Sequence, residues 1–168
     1  MRLTSLMSKK LNNEYNSEYI IVLIILLLWN ALIFVTPLLA SMKNPFASYL
    51  YLFFSYTCHQ DPARSLFIFG YQLPVCARDV AIYIGMLVGL ILLPFIWGAK
   101  NTTIPSLWIY IAAMAPLVID GVTQLLMLRE STNTIRIFTG AIIGVVMPFY
   151  LVPIINLLRS SVKDHKNH

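Results

Sequence analysis

Residues 19–40 read YIIVLIILLLWNALIFVTPLLA, a run with no charged side chain. As a helix rising 1.5 Å per residue it extends about 33 Å, enough to cross a hydrocarbon core of about 30 Å with some tilt. The residues that follow lack the small side chains of a cleavage site, so the run reads as a retained anchor and not a removable signal peptide.

Three further blocks follow the same logic. Residues 80–97 enter after Arg78 and end near Pro94 and Trp97, a proline stop and an interfacial tryptophan. Residues 108–128 follow a polar turn containing Lys100, Asn101 and Pro105, and residues 137–158 follow the polar stretch from Arg129 to Arg136. A fifth apolar piece, residues 46–57, would reach only about 18 Å as a helix and reads as re-entrant or interfacial. The expected fold is all-α: one membrane domain over residues 1–168, a bundle of four transmembrane helices plus that short helix, with polar tails at 1–18 and 159–168.

Composition agrees with this reading. Of the 168 residues, 58% are hydrophobic and 11% charged, against about 25% charged in an ordinary soluble domain. The net charge of +5 is scattered singly between apolar blocks, which argues against nucleic acid as a partner and for membrane lipids. Basic residues at the span ends place Arg2, Lys9, Lys10, Lys100, Arg159, Lys163 and Lys166 on one side and Lys43, Arg64, Arg78, Arg129 and Arg136 on the other. The positive-inside rule then puts both termini in the cytoplasm of a multi-pass protein. Gly85 and Gly89, and Gly140 and Gly144, form two Gly-x-x-x-Gly pairs expected at helix contacts.

In that topology residues 57–79 and 129–136 emerge on one extracytoplasmic face, where most of the chemistry gathers. Asp120 sits inside the third span, about 12 Å below Arg129 along a continuous helix, where an unpaired charge costs several kcal/mol. It needs a partner or a proton, and it reads either as a general acid or base or as a device that fixes helix register. Thr123 and Gln124 share its helix face, and Arg129, Glu130 and Asn133 lie at the mouth; Asp120, Gln124, Arg129, Glu130 and Asn133 form the expected catalytic set. The guanidinium forks of Arg64, Arg78, Arg129 and Arg136 form an expected anion site.

Cys58 and Cys76 are the only cysteines. In an oxidising compartment they could form a disulfide. With His59 and Asp79 they could instead hold zinc or another transition metal. His165 and His168 match no ligand spacing and are assigned to the solvated tail.

Several of these runs carry a resemblance: Cys58-His59-Gln60, Gln72-Leu73-Pro74, Cys76-Ala77-Arg78, Asp120-Gly121, Thr123-Gln124 and Arg129-Glu130-Ser131-Thr132-Asn133. Together they resemble a family of small prokaryotic integral membrane proteins of unknown function, marked by Cys-His-Gln and Cys-Ala-Arg-Cys motifs, over roughly residues 45–145. The resemblance implies the fold and a prokaryotic cell membrane, and it carries no activity. Asp79 stands where that family usually has a second cysteine of Cys-x-x-Cys. That departure removes a Cys-x-x-Cys redox centre and tilts the cysteines towards metal, since aspartate can replace thiolate as a zinc ligand. The Asp-Gly-x-Thr-Gln run with its downstream arginine is also loosely similar to the VanZ-like membrane proteins, as an analogy only.

Three functions follow from these residues. The first is a metal-supported membrane enzyme acting on an anionic lipid or lipid-linked substrate at the extracytoplasmic face. The second is a small anion or solute transporter or channel subunit, which with four spans would need a homo-oligomer. The third is a non-enzymatic assembly protein with a Cys58–Cys76 disulfide. Nucleotide binding has no support, because no glycine-rich phosphate loop follows a strand.

Overall fold

The computed structural model describes residues 17–166. Most of the N-terminal tail and His168 lie outside these residues. The expected bundle is present: α1 (Ser17–Ser41), α2 (Phe46–Ser55), α3 (Ala77–Ile96), α4 (Leu107–Leu125), α5 (Asn133–Val146) and α6 (Pro148–Lys166). Among the described residues four helical stretches are long and apolar enough to cross a membrane: α1, α3, α4 and the composite Asn133–Ser161.

The fourth stretch departs from the sequence reading in two ways. It begins at Asn133, so Asn133 and Arg136 stand on the first turn of a helix and not in the preceding loop; the Thr132 hydroxyl caps it by accepting from Ile135 N–H. It also breaks at Met147, because Pro148 has no N–H to continue the ladder and instead occupies the first position of α6.

Chain direction alternates, and cross-contacts fix which ends coincide. Near the start of α1, Glu18 pairs with Arg159 on α6, and the Tyr19 hydroxyl donates to Leu90 O near the end of α3 (2.9 Å). Asn156 on α6 donates to Ala99 O (3.0 Å) and Asn101 O (2.9 Å), tying down the loop that leaves α3. These contacts gather at one end of the bundle; the polar cluster described below occupies the other.

Glycine sets the closest crossing. A methyl group added at Gly85 would lie 3.0 Å from Ala141 O on α5, and one at Gly140 would lie 2.5 Å from Arg78 O on α3. At Gly144 and Gly89 it would collide with the carbonyls of Ile82 and Val145. Both Gly-x-x-x-Gly pairs thus lie in the contact between α3 and α5, where Gly85 and Gly144 meet directly. Lipid tails are as apolar as leucine, so this close backbone contact takes the place of a hydrophobic driving force between helices. Its consequence for the polar end is direct, because it pins Arg78, on the first turn of α3, over α5.

The helical bundle carries one small sheet besides. Between α2 and α3 a short 3₁₀ turn, Pro62–Arg64, leads into a hairpin of β1 (Ser65–Ile68) and β2 (Tyr71–Cys76), antiparallel with Ile68 opposite Tyr71 and Ser65 opposite Cys76. Phe69 and Gly70 both take positive φ (55° and 79°), the two-residue turn whose twist suits a hairpin. The hairpin packs on α1 and α2 through Leu73 and Val75, which join Ile33, Phe54 and Val80 in a buried cluster. Trp29 of α1 meets Phe53, Phe54 and Tyr83 edge to face, with centroids 5.2–5.6 Å apart. At ten residues α2 extends only about 15 Å; Tyr49 and Phe53 on it and Tyr56 just after it are exposed.

Candidate anion and thiol sites

Asp120 is 1% exposed and fully engaged. Its Oδ1 accepts from Arg129 Nη2 (2.7 Å), and its Oδ2 accepts from Ser131 Oγ (2.9 Å) and Arg78 Nη2. Arg129 also donates from Nε to the Thr123 hydroxyl (3.1 Å). The 12 Å expected between Asp120 and Arg129 is not present because α4 stops at Leu125. Met127 takes a left-handed φ of 55°, Leu128 N–H bonds back to Thr123 O (3.0 Å), and the chain folds over its own helix end. Ser131, which the sequence reading left out of the site, belongs to it; its only signal was its place in a polar run.

A second set of arginines lies beside this pair. Arg136 is 4% exposed and donates to Asn133 Oδ1 (2.8 Å), while Asn133 donates to Ser65 O on the hairpin (3.3 Å). With its amide turned so that the oxygen faces the arginines, Gln124 accepts from Arg64 (3.3 Å) and Arg136 (3.1 Å). Arg64 pairs with Asp61 (3.1 Å). No carboxylate lies within 4 Å of the Arg136 guanidinium among the described residues. A cavity of about 660 Å³ opens between these groups, bounded by Arg64, Arg129 and Arg136 with Gln124, Ser131 and Met127; Glu130 and Asp61 stand on its wall.

The hairpin is held against this cavity by a relay of amides. Gln60 donates to Tyr51 O (2.6 Å), Gln72 donates to Gln60 O (2.6 Å) and to the Ser65 hydroxyl (2.9 Å), and the Tyr51 hydroxyl donates to Gln72 O (2.5 Å). The glutamines of Cys-His-Gln and Gln-Leu-Pro thus serve to fix the loop.

The cysteines lie on the other side of Arg64. Cys58 follows α2, and Cys76 closes β2 at the start of α3; both are free thiols and half-buried. Cys76 N–H donates to Cys58 Sγ (3.2 Å). The Cys76 thiol also donates to Cys58 and holds the Cys58 thiol down to about 7, below its ordinary value of 9.0. Giving that bond, together with burial, pushes the Cys76 thiol up. Both sulfurs and an Asp79 carboxylate oxygen lie within 4.8 Å of one another. His59 is exposed and stands outside this triad, although it lines the same cavity of about 370 Å³. Asp61 and Arg64 line both cavities.

Residues 58–150 match the family model described as "Predicted membrane protein (DUF2085)". The chain belongs to this family. Within the DUF2085 match fall both cysteines, the hairpin, Asp120 and all four arginines. An uncharacterised protein of Methanocaldococcus jannaschii is 45% identical over 142 residues, covering 81% of this chain and 91% of that protein. An uncharacterised protein of Methanothermobacter thermautotrophicus is 37% identical over 92 residues, covering 55% of this chain and 81% of its own. No solved structure matches the chain. Family and helices together make this a multi-pass membrane protein.

Proposed function

We propose that this membrane protein recognises an anionic lipid or lipid-linked substrate, with its phosphate in the arginine cavity at the extracytoplasmic face and both termini in the cytoplasm. The observation that carries the reading is Arg136: a buried guanidinium with no acid within ion-pairing distance, beside Arg64 and Arg129 on a common cavity. A buried cation is expensive without a counter-charge, and planar guanidinium forks match phosphate oxygens. The rim supports an amphiphilic ligand, because Leu125, Met127 and Leu128 are exposed beside the charged wall. The groups around the cavity come from one end of the bundle, which suits a headgroup site and not a conduit.

Within this reading Asp120 positions and does not transfer protons. Its oxygens accept three bonds, two of them from guanidinium groups, and a carboxylate already committed to two cations is suited to holding them and not to taking up a substrate proton. Its task is to hold Arg129 and Arg78, which leaves Arg136 to the ligand.

The test is binding of a fluorescent phosphatidic acid by the detergent-purified protein, compared with Arg136→Gln. Each charge-assisted bond contributes about 1.5–3 kcal/mol, so the variant is expected to bind roughly tenfold to a hundredfold more weakly. Equal affinity in a monodisperse Arg136→Gln protein would overturn the reading.

A further inference from the structure

We infer that Cys58, Cys76 and Asp79 form a thiolate-rich zinc centre with three protein ligands and a fourth position open to the adjoining cavity. This goes beyond the anion site and stands independently of it.

Three elements converge to make the triad. Cys58 is fixed by the turn that ends α2, where its N–H bonds back to Phe54 O (3.0 Å). Cys76 is the last residue of β2, and Asp79 sits on the first turn of α3. The hairpin bulge between Ser65 and Phe67 and the relay through Gln60 and Gln72 hold β2 in place, so the ligand spacing is set by the loop and not by a flexible side chain.

The geometry fits a tetrahedral ion. Sulfurs about 2.3 Å from zinc stand about 3.8 Å apart at the tetrahedral angle. The triad's donor atoms, within 4.8 Å of each other, stand at most about 1 Å wider than that spacing. The N–H of Cys76 already points at Cys58 Sγ (3.2 Å), the kind of outer bond that orients a metal-bound thiolate. Two thiolates and a carboxylate carry three negative charges, one more than the ion neutralises, so the loaded centre carries one net negative charge.

The donor set selects the metal. Soft thiolates favour zinc over magnesium or calcium, and a mixed sulfur and oxygen set accepts cobalt in the same tetrahedral geometry. Binding is balanced by release of the two thiol protons as Zn²⁺ enters, with no change of oxidation state. The open position is the arrangement of zinc sites that take an exogenous water or anion, whereas structural sites close with four protein ligands.

The test uses the whole protein, purified anaerobically, with no lipid added, so its result is separate from that of phosphatidic acid binding. Cobalt added to chelator-treated protein is expected to give thiolate charge-transfer and tetrahedral ligand-field bands at about one equivalent, displaced by zinc. Cys76→Ser should abolish the bands and Asp79→Asn should weaken cobalt binding at least about tenfold, while His59→Ala keeps them. Azide should shift the ligand-field bands by entering the open position. Absence of cobalt bands in folded, reduced protein would overturn the centre. So would a Cys58–Cys76 disulfide found by thiol titration of anaerobically isolated protein. Loss of the bands in His59→Ala, or no response to azide, would overturn the open position.

Discussion

Replacing Asp120 by asparagine removes one negative charge and changes almost no volume, so it isolates what the carboxylate does. In the folded protein Asp120 compensates Arg129 at 2.7 Å and Arg78 at its other oxygen, and accepts from Ser131 at 2.9 Å. Breaking a buried ion pair by removing one partner costs about 3–5 kcal/mol, because the remaining charge stays desolvated. Two features place Asp120→Asn near the lower end, about 3 kcal/mol. The amide oxygen still accepts one bond, and the Arg129 side chain is 40% exposed, so solvent screens part of its loss. At roughly 2–4 °C per kcal/mol for a chain of this size, the midpoint of thermal unfolding in detergent should fall by roughly 6–12 °C. Arg129→Gln should recover part of that loss when added to Asp120→Asn, because it removes the charge left unpaired. A shift below about 2 °C, or full additivity of the two substitutions, would refute the view of Asp120 as the counter-ion that organises this end of the bundle.

The remaining predictions concern packing and the thiols. Gly144→Ala drives a methyl into the Ile82 carbonyl and should destabilise by about 1–3 kcal/mol; Gly85→Ala, whose methyl meets Ala141 O at 3.0 Å, should cost less, and thermal unfolding of both variants ranks them. In metal-free, reduced protein the alkylation rate of Cys58 should rise with pH along a curve centred near 7, because the bond from Cys76 favours its thiolate. Cys76, shifted the opposite way, should remain unalkylated until well above pH 9. Mass spectrometry of each cysteine peptide reads both curves, and a shared midpoint near 9 would contradict the asymmetry.

Why the spans were legible and the site only partly so has a physical reason. Residues 19–40 are decided by length and the absence of charge, and those two quantities are local. The Gly-x-x-x-Gly pairs announce a contact for a similarly local reason, though not that both lie in the crossing of α3 over α5. The hairpin was hidden because residues 65–76 are apolar and short, and their one sharp signal was Gly70 after Phe69. A helix carried through to Leu128 sets Arg129 too far from Asp120; the left-handed residue that reverses the chain is Met127, not a glycine or asparagine that sequence would flag. His59 looked like a ligand through its place next to Cys58, whereas the turn after α2 faces the cysteine inward and leaves the histidine exposed. Asp79, three residues beyond Cys76, follows the helical spacing that brings it back towards the sulfur.

Photo-crosslinking tests the anion cavity most directly. In proteoliposomes containing phosphatidic acid with a photoreactive group near its phosphate, the labelled peptides should contain residues 61–64 and 127–131, the two segments that border the cavity beside Arg136, and Arg136→Gln should abolish the labelling. Labelling spread evenly over the exposed faces of α1 and α4, unchanged in Arg136→Gln, would contradict a headgroup site at this end of the bundle.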